Sequence, residues 1–202
     1  MARHPGAGMK SAPRQSSAPF VVNVARLGRR PGALLPLHEQ RISPARIGLD
    51  LVAIPAQAAV DLDLRVESVS EGVLVSGVVS APTAGECARC LQPLTGAVEV
   101  ELTELFAYPD STTDATTDDD EMGRVVDDAV DLEQAIVDAI GLALPLSPLC
   151  DADCPGLCPD CGVPLATAEP GHHHDKIDPR WAKLAGLLEP GEPARPSDDG
   201  ER

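Results

Sequence analysis

The chain has 202 residues, with 16 Lys and Arg against 32 Asp and Glu, a formal net charge of −16 and only 2% aromatic residues. A module that stacks single-stranded bases on rows of rings lacks the rings, and one that grips RNA through a broad cationic surface lacks the cations. The longest apolar stretch, Ala135 to Leu146, is interrupted by Asp138 and is too short to cross a membrane.

Phe20, Phe106, Tyr108 and Trp181 are the whole aromatic set, so the core has to be built from Val, Leu, Ile and Ala. Residues 1–19 show no apolar region of the secretory type. That predicts a cytoplasmic protein, where paired cysteines serve more often as metal ligands or redox groups than as structural disulfides. Charge is distributed unevenly. Arg3, Lys10, Arg14, Arg26, Arg29, Arg30, Arg41 and Arg46 face Glu39 alone in residues 1–46, so the remainder is more acidic than the total suggests.

In chain order, residues 1–19 are rich in Pro, Gly, Ser and Ala and are predicted to be a disordered basic tail, with Met9 a second candidate start. Residues 20–27 predict a strand, ended by the turn signal Leu-Gly-Arg-Arg-Pro-Gly at 27–32. Residues 34–57 are ambiguous, with Pro36, Pro44 and Pro55 interrupting any long element. Val60, Leu62, Leu64, Val66 and Val69 nearly alternate with Asp61, Asp63, Arg65 and Glu67, which predicts a strand with one buried face. Glu71-Gly72 turns it into a second strand, Val73 to Val79, and a third follows through Val98, Val100, Leu102 and Leu105. Residues 109–128 are acidic, lack apolar periodicity and predict a mobile loop. Asp131 with Gln134 reads as a capping box, opening a helix whose stripe is Leu132, Ile136 and Ile140 and which runs to about Leu142. A short helix is expected from Asp178-Pro179, with Trp181, Leu184, Leu187 and Leu188 as its apolar face, and residues 189–202 as a loose tail.

The expected fold is α+β. It comprises an antiparallel sheet from residues 20–107, one packed helix near 131–142 and a Cys-rich, zinc-binding C-terminal extension, in a single domain spanning 20–188.

The six cysteines carry the strongest chemical signal. Cys87-Ala-Arg-Cys90 is one group, and Cys150, Cys154, Cys158 and Cys161 are the other. Two thiolates spaced Cys-x2-Cys can share one Zn²⁺ at about 2.3 Å from each sulfur. In Cys158-Pro-Asp-Cys161-Gly162 the glycine permits the tight turn this needs. His172, His173, His174 and Asp175 follow. Six thiolates with two imidazoles make eight donors, enough for two tetrahedral sites. A single site has three forms: Cys87, Cys90, Cys158 and Cys161; Cys150, Cys154, Cys158 and Cys161; or Cys158 and Cys161 with His172 and His174. Pairing is spatial, so spacing alone leaves these open. Reduced cysteines with packing roles are a further reading. A redox dithiol wants a helix after its first cysteine, whereas Pro155, Pro159 and Gly162 surround this one. A catalytic zinc wants a general base, and nothing marks Asp151, Asp153, Asp160 or Asp175 as one.

Three ordered segments resemble one family: Gly85-Glu86-Cys87-Ala88-Arg89-Cys90-Leu91, Cys154-Pro155-Gly156-Leu157-Cys158-Pro159-Asp160-Cys161-Gly162 and Ile177-Asp178-Pro179-Arg180-Trp181-Ala182-Lys183-Leu184. Together they look like the YceD family of large ribosomal RNA subunit accumulation proteins, and residues 27–32 resemble its actinobacterial members. The resemblance implies a non-catalytic cytoplasmic role in making the large ribosomal subunit. Family members' genes commonly lie beside that of a small zinc-ribbon ribosomal protein. Some members keep the first cysteine pair without the second group, and others carry Cys-x-Cys near the position of His172 to His174, a replacement that preserves ligand chemistry. The expected metal ligands are Cys87, Cys90, Cys150, Cys154, Cys158, Cys161, His172 and His174, holding one or two Zn²⁺. The expected partner is a basic large-subunit ribosomal protein or precursor rRNA. Ten Asp and Glu between 110 and 133 would attract a cationic partner, and Arg26, Arg29 and Arg30 are the candidates for rRNA phosphate contact. No membrane and no small-molecule substrate are expected. The alternative reading is a zinc-stabilised protein-interaction adaptor with no ribosomal role.

Overall fold

The computed structural model describes residues 18–109, 111–118, 122–174 and 180. The chain divides into two compact units, Met1–Cys154 and Pro155–Arg202. The N-terminal tail through residue 17, the helix expected from Asp178 (apart from Arg180) and the C-terminal tail lie outside the described residues.

The first unit is built on antiparallel strands. β1 (Val21–Asn23) pairs with β8 (Ala129–Asp131) in a two-stranded sheet. The larger sheet contains β2 (Leu34–Ile42), β3 (Ile47–Gly48), β4 (Val52–Ile54), β5 (Ala59–Ser68), β6 (Gly72–Glu86) and β7 (Pro93–Ala107). Its axis is the long β6. Residues 73–80 of β6 pair with β5, and Ala84 and Gly85 pair with β4 on the same side, while β7 runs along the other side for the full length. β2 lies outside β5, and β3 outside β4.

Alternation on these strands makes one face apolar. Val60, Leu62, Leu64 and Val66 of β5, Val73, Val75 and Val79 of β6, and Val98, Val100 and Leu102 of β7 are all buried. They form one core with Leu132, Ile136 and Ile140 at the start and on the inner face of α2 (Glu133–Ala143). Each such side chain contributes about 1.5–3 kcal/mol of burial. Phe20 and Phe106 join this core. The opposite face stays wet. Register places Gln40, Asp61, Ser80 and Glu99 in one row, and His38, Asp63, Val78 and Glu101 in the next. β7 pairs only with β6 among the named strands, so it is an edge, and it carries Glu99, Glu101 and Glu104 exposed.

Several sequence expectations are corrected. The first strand stops at Asn23 rather than Leu27, because the Asn23 side chain accepts the Ala25 N–H at 3.1 Å and folds the backbone into a turn. Residues 34–57, ambiguous in sequence, form β2, β3 and β4. Pro36 is accommodated because β2 is an edge, where a missing N–H leaves no partner unsatisfied. β6 continues well past Val79, and Pro82 falls where neither β5 nor β4 lies opposite it.

The acidic segment is not structureless over its described part. Ser111 caps α1 (Thr112–Thr116), Arg124 pairs with Asp114 at 2.5 Å, and Val125 is buried. Asp110 and residues 119–121 lie outside the described residues. The capping box at Asp131 does not form. Asp131 closes β8 and accepts the Glu133 N–H at 3.0 Å, Leu132 is the cap residue, and Gln134 turns to Asp138 at 2.8 Å.

One buried polar pair tests the sheet end. Ser68 is fully buried, with its hydroxyl 2.8 Å from the Tyr108 hydroxyl. Tyr108→Phe leaves that serine short of a partner and is expected to cost about 1–2 kcal/mol. The measurement is the urea midpoint at unchanged slope.

Candidate metal centres

The first cluster lies in the first unit, at the β6–β7 turn. Cys87 and Cys90 occupy the turn itself, and the segment after α2 returns to it. Ala88 N–H donates to the Pro148 carbonyl at 2.8 Å, and the Arg89 guanidinium donates to the carbonyls of Ala152 and Cys154 at 3.3 and 3.0 Å. These bonds bring Cys150 and Cys154 against Cys87 and Cys90, and all four sulfurs lie within 4.8 Å of one another.

The second cluster lies within the second unit. Cys158 and Cys161 form a turn, and His172 and His174 bring their imidazoles to it, with all four ligand atoms again within 4.8 Å. The structure therefore sets the eight candidate ligands in two groups of four. Of the three single-site arrangements, only Cys158, Cys161, His172 and His174 coincides with a group. Each of the other two would take ligands from both.

The two Cys-x2-Cys turns share one backbone design. Cys87 N–H donates to the Gln92 carbonyl at 2.9 Å, and Leu91 N–H donates to the Cys87 carbonyl at 2.9 Å. Cys158 N–H donates to the Val163 carbonyl at 2.8 Å, and Gly162 N–H donates to the Cys158 carbonyl at 2.8 Å. The residue after each second cysteine is left-handed, Leu91 at φ 59° and Gly162 at φ 73°. Glycine signals this turn in the sequence. Leu91 gives no such signal, nor does the holding role of Arg89.

The distances fit a tetrahedral cation and exclude a disulfide. Cys87 and Cys154 sulfurs are 3.8 Å apart and those of Cys90 and Cys150 3.6 Å. A disulfide needs about 2.05 Å, whereas two sulfurs sharing a tetrahedral zinc at about 2.3 Å stand about 3.8 Å apart. In the second cluster Cys161 Sγ to His172 Nε2 is 3.4 Å, and His172 Nε2 to His174 Nε2 is 3.2 Å. The corresponding tetrahedral edges are about 3.5 and 3.3 Å. Sulfur and imidazole donors with no carboxylate among them suit zinc better than magnesium or calcium.

Electrostatics points the same way. At Cys87 burial raises the thiol pKa, but the backbone N–H groups of Cys150, Cys90 and Arg89 outweigh it and bring it to about 6. At Cys158 the N–H groups of Cys161 and Asp160 have the same effect, again to about 6. Cys150 is pushed up to about 12, first by Cys154 and Cys90 beside it and then by burial. Four sulfurs this close cannot all ionise by themselves, and a dication among them removes that conflict.

The other predicted contact residues lie elsewhere. Arg26, Arg29 and Arg30 are exposed on the loop after β1, and the Arg29 guanidinium stacks 4.8 Å from the Tyr108 ring centre. They form no joint site with the cysteines among the described hydrogen bonds and ion pairs.

The family model described as "Large ribosomal RNA subunit accumulation protein YceD" matches residues 75–188, a span that contains both clusters. The chain belongs to the YceD family. Mycobacterial relatives match it over most of their length. Uncharacterized proteins of Mycobacterium tuberculosis and Mycobacterium bovis are each 65% identical over 190 residues, covering 94% of this chain and 90% of theirs. One of Mycobacterium leprae is 54% identical over 189 residues, covering 94% of this chain and 87% of its own. No solved structure matches. Membership of the YceD family supports a ribosome-related role, and the family description names an accumulation protein rather than an enzyme. Among the described residues no helix is long and apolar enough to cross a membrane.

Proposed function

We propose that this protein is a non-catalytic, cytoplasmic assembly factor that supports accumulation of large-subunit rRNA by binding a basic protein of the large ribosomal subunit. The family match over residues 75–188 carries this reading. The exposed sheet face supports the choice of partner. Asp61, Asp63, Glu99 and Glu101 stand in adjacent rows, relieved by the nearby cation of Arg65. Such a surface attracts a cationic protein and repels phosphate. Direct contact with precursor rRNA would fall to Arg26, Arg29 and Arg30, a small footprint beside the acidic face.

Depletion of the protein in its host is expected to lower the large-subunit peak and the large-subunit rRNA relative to the small. Unchanged particle profiles would overturn the ribosomal role and leave the zinc-stabilised adaptor. Capture at low salt is expected to enrich basic large-subunit proteins and to lose them as salt rises past the physiological range.

In this reading both clusters hold structural Zn²⁺, which fixes the local chain without taking part in a reaction. Protons compete with the metal for all eight ligand atoms. Each thiol must give up its proton and each imidazole must be neutral to bind, so affinity falls as pH falls. The expected zinc content after gel filtration is two per chain at about pH 7.5 and none at about pH 4.5. Full retention in acid would contradict thiolate ligation.

A further inference from the structure

The two clusters have the same turn chemistry but differ in how deeply their ligands are buried. Cys87, Cys90 and Cys154 are buried, and only Cys150 of the first cluster is exposed. They belong to a unit that has a large core of its own. In the second cluster Cys161 is exposed and His172 half-buried. Of the described residues in the second unit, only Gly156 and Cys158 are buried. Leu157, Val163 and Leu165 all keep solvent contact.

Among the described residues, the contacts that order 155–174 include turn hydrogen bonds, a bridge between Leu157 and Pro164 and a few exposed side-chain bonds. Turn hydrogen bonds contribute about 0.5–1.5 kcal/mol each in water, too little in this number to offset the entropy of ordering 20 residues at about 1–2 kcal/mol each. A segment without apolar burial is ordered only if something else supplies the free energy, and a bound metal ion does.

We propose that the two sites hold zinc on different terms: the four-cysteine site retains its ion as a permanent clasp, whereas the Cys158–Cys161–His172–His174 site exchanges its ion with the surrounding pool, and residues 155–174 fold and unfold with it. This rests on the zinc reading above. Only one ligand of the second site, Cys158, is buried, against three of the first, so a competing chelator enters the second coordination shell more readily and forms the mixed complex through which metal leaves, and two imidazoles leave more readily than two buried thiolates. The segment becomes a zinc-responsive part of a protein whose sheet is indifferent to zinc supply.

The experiment uses the full chain loaded with Zn²⁺ and challenged with EDTA. Zinc per chain is followed by native mass spectrometry and backbone protection by hydrogen exchange. The expected result is a two-zinc species that becomes a one-zinc species at least tenfold faster than the second ion leaves. Protection across 155–174 should vanish with the first ion and return on adding Zn²⁺, while peptides from 60–102 stay protected. Cys161→Ser combined with His172→Ala is expected to bind one zinc, held as slowly as the slow ion, with 155–174 unprotected from the start. The proposal is overturned if both ions leave together, if the double variant still releases its ion fast, or if 155–174 stays protected after zinc loss. A chain that binds no zinc at all overturns the metal reading itself, an outcome distinct from those three.

Discussion

Cys87→Ser is expected to remove one zinc per chain and to destabilise the first unit by about 4 kcal/mol. The figure follows from the chain closed by the site. Cys87 and Cys154 are 67 residues apart in sequence, and Cys90 and Cys150 are 60 apart. Cross-linking a loop of that length restricts the unfolded chain by about 4 kcal/mol in the chain-entropy account. Serine preserves size but offers a poor ligand, and Cys87 has no exposed surface through which water could compensate. The distinguishing measurement is the double variant. Because the four thiolates share one ion, Cys87→Ser with Cys154→Ser should cost little more than either alone. Additive losses in chemical unfolding would mean that each cysteine acts through packing, and the shared ion would have to be abandoned.

Ile140→Ala is expected to cost about 3 kcal/mol, within the usual range for truncating a buried isoleucine. Ile140 and Ile136 of α2 are fully buried against the sheet, with Leu132 just ahead of them. α2 contacts β7 and β3, so a cavity there weakens the helix that packs on the apolar face. Leu142→Ala on the same helix provides the control. Leu142 is 89% exposed, and its truncation should stay within about 0.5 kcal/mol. Equal losses at the two positions in urea unfolding would mean that α2 presents a different face to the core.

The sequence made β5 and the α2 stripe readable because each has one buried face and a clean period, two for the strand and 3.6 for the helix. Long-range circumstances hid the rest. Pro36 and Pro82 argue against strands locally, and each is tolerated only because of what stands or does not stand beside it in the sheet. Asp131 has the spacing of a capping box, yet its membership of β8 moves the helix start onward by a residue. The acidic stretch looks featureless in sequence because the groups that order it are polar: Ser111 as a cap, and Arg124 reaching back to Asp114. In the site, spacing revealed the Cys-x2-Cys turns but not their partners. Which thiols meet depends on how the segment after α2 comes back to the β6–β7 turn, through bonds from Ala88 and Arg89 that no spacing rule encodes.

The open side of β7 bears on the protein's behaviour at high concentration. Among the described residues, the strand from Pro93 to Ala107 has no strand neighbour along most of one side, and such a side offers a ladder of unpaired amides and carbonyls. A second copy of the chain could complete that ladder and begin an aggregate. Glu99, Glu101 and Glu104 sit along this edge, so two such edges approaching each other bring like charges together. Part of the chain's acidity therefore acts as a guard against self-pairing, and it leaves the same edge approachable only by something of opposite sign.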